Sequence, residues 1–135
     1  MVEYVKYENK NYAIIVSQDF NKGGVHFFTK DEMPQQLGFM SHSKGTKIQP
    51  HRHIQVKREI FHTQEVLFIK KGKIRLDIFS EDEKFLGSKV LKKNDVILLI
   101  QGGHGFEVLE DVEMFEVKQG PYIANKDKIR FNPIK

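Results

Sequence analysis

Glu65-Val66-Leu67-Phe68-Ile69-Lys70-Lys71-Gly72-Lys73 is the stretch on which the fold reading turns. A short run of strand-favouring apolar residues stops at a Lys-Lys-Gly-Lys segment with the composition of a tight turn. The same device recurs along the chain. Strands are predicted near Tyr4–Tyr7, Tyr12–Ser17, Val25–Thr29, Gln36–His42 and Thr46–His53. Others follow near Gln64–Lys70, Lys73–Phe79, Gly87–Leu91, Asp95–Ile100, Gly105–Leu109 and Glu113–Lys118. Between them lie turn-forming clusters such as Asn21-Lys22-Gly23-Gly24, Ser80-Glu81-Asp82-Glu83 and Glu110-Asp111. A helical turn is expected only around Lys30–Gln36, where Pro34 keeps it short. Many short strands joined by tight turns predict an all-β sandwich or barrel.

Composition narrows the function. At 135 residues the chain has the size of one domain, and its 39% apolar content, with eleven Phe and no Trp, fills one modest core. With no cysteine, disulfides, thiolate ligands and cysteine nucleophiles are all excluded. The net charge of +4 is spread over turn lysines, among them Lys70, Lys71, Lys73, Lys89, Lys92 and Lys93. Such lysines keep strand edges apart. No basic stripe interleaved with aromatic platforms is present, so nucleic acid is not an expected partner. The N-terminal residues lack the pattern of a signal peptide, and no apolar stretch approaches the ~18 residues of a membrane span. A cytoplasmic location is expected, without membrane association.

The candidate chemistry lies in histidines and one carboxylate. His51 and His53 sit two apart in a segment predicted to be extended, which turns both imidazoles to one face, ~7 Å apart. Glu65 opens the next apolar run, and His104 follows another within Gly102-Gly103-His104-Gly105. Three imidazoles and a carboxylate suit a divalent cation such as Fe, Mn, Ni or Zn, with positions left for water or substrate. His62 and Gln64 rival Glu65, because a one-residue slip of register turns every side chain of a strand to the other face.

With these residues the chain resembles the cupins, small jelly-roll β-barrels with a metal site inside the barrel mouth. Gly45, five residues, then His51-Arg52-His53 follow the first cupin motif, as do Glu65, six residues and Gly72. Between His53 and Glu65 lie eleven residues, where the family has three or four. In the second motif Asn94-Asp95 stands for Gly-Asp, Ile100 for proline and Gly102 for glycine, and His104 arrives one residue early. The resemblance covers about residues 36–118. It implies a single cupin domain over residues 1–135, a tail from about Ala124 to Lys135, and a metal site of His51, His53, Glu65 and His104, with His104 catalytic.

The function expected is a metal-dependent cupin enzyme acting on a small polar molecule, in carbohydrate or nucleotide-sugar metabolism. Its chemistry would be isomerisation, epimerisation or dioxygen activation. The alternatives are a non-catalytic binder of a small ligand or metal, and a metal-free sugar isomerase or epimerase using barrel histidines. A homodimer formed by pairing terminal strands is the expected assembly. His26 and His42 are read as structural, and Glu107, Glu116 and Lys118 as surface charges within reach of the pocket. The tail reads as a frayed end or an arm packed on a neighbouring subunit. The insertion 54–64 reads as a lid or a surface excursion.

Overall fold

The computed structural model describes residues 1–133; of the predicted tail, Ile134 and Lys135 lie outside that range. The chain is all-β, with no helix among the described residues, and contains a strongly curled antiparallel half-barrel sheet and a small hairpin. It divides into two compact units, residues 1–20 with 62–135, and residues 21–61.

The first unit holds the curled sheet. Its strands are β1 (Val2–Tyr7), β2 (Lys10–Val16), β5 (Glu65–Phe79), β6 (Phe85–Lys92), β7 (Val96–Leu99) and β8 (Gly103–Lys118). The second unit holds the hairpin β3 (Gly24–Phe27) and β4 (Gly38–Ser41). Its connection makes turns where a helical turn was predicted. The Met33 N–H donates to the Lys30 carbonyl at 3.1 Å, closing a single i→i+3 turn, and the Gln36 side-chain amide donates to the carbonyls of Lys30 and Met33, both at 2.9 Å.

β5 is the spine of the sheet. One edge pairs with β7 through Glu65–Phe68 and with β6 through Lys73–Phe79, while the other pairs with β8 along its length. The Lys-Lys-Gly-Lys segment is therefore not a turn between two strands. It is a bulged bend within one strand of 15 residues. The break expected at Glu110-Asp111 is the matching bend of β8, a single strand of 16 residues.

The bulge has a legible cause. Buried residues of β5 fall at odd positions before the bend (Leu67, Ile69) and at even positions after it (Ile74, Leu76, Ile78), until Phe79, buried at the strand's end beyond a second irregularity in the pairing with β6. Register shifts between Ile69 and Ile74 change the parity, so both halves present their apolar side chains to one core. That core joins them with Tyr12, Ala13, Ile15, Leu91, Ile97 and Leu99. Gly72 makes the bend possible: its φ is +87°, and a Cβ there would lie 2.0 Å from the Asp111 carbonyl oxygen.

The predicted strand Thr46–His53 does not form; no strand lies between Ser41 and Glu65. Pro50 lacks a backbone donor, and the stretch has too few apolar residues to bury a face.

Gly72→Ala combines a left-handed backbone with a clash against main chain that cannot rotate away. It is expected to lower stability by about 2 kcal/mol or more, measured by urea denaturation. Gly23→Ala, where a Cβ meets nothing within 4 Å, is expected to fall within about 1 kcal/mol of the wild type.

Candidate functional site

Directly paired residues of neighbouring strands point to the same side of a sheet. On the core side, one row runs Lys118, Glu65, Leu99, Ala13, and the next pairs Leu67 with Glu116. Lys118 is thus beside Glu65 and Glu116 is its diagonal neighbour. At the far end of β5, Ile78 pairs with His104 and places that imidazole on the core side too.

Along a straight strand, thirteen residues would separate Glu65 from Ile78 by about 43 Å. Because β5 and β8 curl, the Glu65 carboxylate instead comes within 3.7 Å of His104 Nε2. The side chains are 16% and 31% exposed respectively, so Glu65 is the more withdrawn from water.

An open cleft of about 1190 Å³ lies against this pair, lined by Thr63, Glu65, Phe79, His104, Phe106 and residues 125–133 among others. The tail is one of its walls. Asp127 accepts from Lys118 Nζ and from Thr63 Oγ1, both at 3.3 Å. The Phe131 ring meets Phe79 edge-on, with centroids 5.2 Å apart, over the Cα of Gly103, where a Cβ would come within 2.7 Å of it. Over Asp127–Phe131 the tail is anchored within its own unit through its carboxylate and its aromatic ring.

Burial raises the Glu65 carboxyl most; the hydrogen bond with Glu116 and the charge of Glu116 add to it, while Lys118 and Lys128 oppose. Together they push it from 4.5 up to about 7. His104 is lowered, first by burial and then by the positive charge of Lys128, against the opposing charge of Glu116. The shifts thus bring Glu65 to where its carboxyl still carries a proton for part of the time near neutrality, beside an imidazole biased toward its neutral form, one group able to give a proton and the other able to take one.

Of the expected ligands, Glu65 and His104 are brought together. His51 and His53 belong to the second unit, in a segment without strand structure. Their rings adjoin, with centroids 5.6 Å apart, and His51 Nδ1 lies 3.0 Å from the Gln49 carbonyl oxygen. Within either unit, no three His, Cys, Asp or Glu side chains among the described residues gather as a metal-binding group. The residues assembled in the first unit alone therefore fall short of a metal-ligand set. Gln64, the rival of Glu65, is buried; its backbone N–H donates to Gln119 and its Oε1 has no hydrogen-bond partner. Glu107 pairs with Arg75 at 2.7 Å as a surface charge. Glu116 and Lys118 are more than that, since their rows flank Glu65; only the register of β5 against β8 could reveal it. Comparison with protein-family models, with curated proteins and with solved structures gave no match.

A carboxyl raised on folding binds its proton more tightly in the native state than in the unfolded chain. Its contribution to stability is therefore complete below about pH 4.5 and is lost as pH rises through about 7. Glu65→Gln keeps the shape and removes the titration. The stability of the wild type relative to Glu65→Gln is expected to fall by on the order of 1–2 kcal/mol between pH 5 and pH 8, read from urea denaturation at each pH. A difference independent of pH would contradict the assignment.

Proposed function

We propose that this chain is a cupin-type small-molecule enzyme that moves protons on its substrate, with Glu65 and His104 as the acid–base pair. The observation that carries the reading is the approach of Glu65 to His104 at 3.7 Å on the wall of an open cleft. Neutral His104 takes a proton from a carbon beside a carbonyl, and the Glu65 carboxyl donates its proton to the carbonyl oxygen as negative charge develops there. The His104 imidazolium then returns the proton to the former carbonyl carbon while the Glu65 carboxylate takes a proton from the hydroxyl on the neighbouring carbon that lost it, which completes a carbonyl isomerisation. Phe79, Phe106 and Phe131 add apolar ring surface to the lining. Ring faces beside carboxylates suit a sugar derivative, which offers C–H faces and hydroxyls together. The curled antiparallel sheet supports the jelly-roll reading. The homodimer and the cytoplasmic location stand as parts of the same proposal.

The second reading adds a divalent metal, Fe, Mn, Ni or Zn, held by His51, His53, Glu65 and His104. It is carried by the sequence resemblance, through the spacing of Gly45, His51, His53, Glu65 and Gly72. The metal would act as a Lewis acid on a substrate oxygen. Elemental analysis of untagged protein beside His51→Ala/His53→Ala tests it. About one equivalent in the wild type and none in the double variant supports a metal enzyme, and equal content in both removes the histidine pair from the site.

Proton transfer to and from carbon leaves a trace that does not require the physiological substrate to be known in advance. In D₂O, the wild type is expected to wash deuterium into at least one of a panel of aldoses, ketoses and their acids, followed by proton NMR. Glu65→Gln and His104→Gln are expected to slow the exchange by about 100-fold or more. Exchange at the wild-type rate in both variants would overturn the proposal.

A further inference from the structure

Two anchors hold the tail wall of the cleft, and the residues between them are cationic. Asp127 is tied to Lys118 and Thr63 on one side, and Phe131 is packed on Phe79 above Gly103 on the other. Between them lie Lys128, Ile129 and Arg130, and both cations line the cleft. On the strands of this unit, Lys73, Arg75, Lys89 and Lys118 each hold a carboxylate. Neither Lys128 nor Arg130 has a carboxylate within ion-pair distance among the described residues. The segment is short and pinned at both ends, so its cations are held at the cleft with no carboxylate partner among the described residues.

We infer that Lys128 and Arg130 form an anion subsite, which holds a carboxylate or phosphate group of the substrate while the rest of the molecule meets Glu65 and His104. Arg130 offers a planar fork of N–H donors that matches two oxygens of such a group, and Lys128 adds a point charge. The substrate class narrows from a polar molecule to an acidic one: a sugar acid or a sugar phosphate. Phe131 serves as a positioning residue, since it fixes Arg130 beside it in sequence. This inference rests on the acid–base reading of the same cleft.

Glucuronate, inorganic phosphate and uncharged glucose are titrated into the full chain at constant ionic strength, with binding followed by calorimetry. The wild type is expected to bind at least one of the two anions saturably, and glucose not. Lys128→Gln/Arg130→Gln is expected to weaken that binding by about tenfold or more. Lys92→Gln/Lys93→Gln, which removes the same charge away from the cleft, is expected to bind as the wild type does. Phosphate bound in preference to glucuronate identifies a phosphorylated substrate, and the reverse order a sugar acid. The subsite is overturned if neither anion saturates the wild type, or if the Lys128/Arg130 variant binds as tightly as the wild type. His104→Gln separates this result from the acid–base reading, because it leaves the subsite intact. Anion binding retained in His104→Gln and lost in the Lys128/Arg130 variant supports the subsite, whatever the deuterium exchange shows.

Discussion

Everything proposed for this protein depends on the bend that β5 and β8 share, where the backbone of Gly72 lies against that of Asp111. A side chain at residue 72 would occupy the space of the Asp111 carbonyl. Lys70, Lys71, Lys73 and Arg75 pair with Glu113, Glu110 and Glu107 across the two strands near the bend. These ion pairs are largely exposed, and such pairs contribute between nothing and about 1 kcal/mol each. Ile69, Ile74, Leu76 and Ile78 are almost wholly buried on the other face. Burying each of these stabilises by about 1.5–3 kcal/mol relative to exposure, so apolar burial holds the curl and the charges decorate it.

The curl then sets the electrostatics of the cleft. It withdraws Glu65 from water and leaves it beside a second carboxylate, Glu116, so its proton is retained to about pH 7. It also carries His104 to within reach of Glu65 from the far end of the sheet. The two groups are shifted in opposite directions, and groups whose environments push them apart can serve as acid and base in one reaction. The tail completes the arrangement: its aromatic and carboxylate anchors hold one wall, on which Lys128 and Arg130 line the same cleft.

Most strands were legible because alternating and continuous apolar runs are direct consequences of strand geometry. The places where the reading failed share a cause. A glycine with positive φ serves equally in a tight turn and in a bulge, so Lys71-Gly72 could not tell two strands from one bent strand; only the pairing with β8 decides it. The stretch Thr46–His53 carries the motif spacing of a strand without the apolar face that would hold one. Glu65 and His104, which the structure brings within 3.7 Å, were legible as candidates because each adjoins an apolar run. The part played by Glu116 and Lys118 was not, since the register between distant strands leaves no local mark. The cationic wall was hidden for another reason: charged residues near a terminus read as solvent-facing unless their anchors are known. Phe131 is the apolar residue through which this segment packs on Phe79.

The central claim is the contact between Glu65 and His104, and the nuclear Overhauser spectrum of the full chain tests it most directly. Cross-peaks between the imidazole protons of His104 and the side-chain methylene protons of Glu65 are the expected result. They should vanish in Gly72→Ala if that variant still folds. A well-resolved wild-type spectrum in which His104 shows cross-peaks to Ile78 and Phe106 but none to Glu65 would mean that β5 does not curl far enough to close the site, and the account would be wrong.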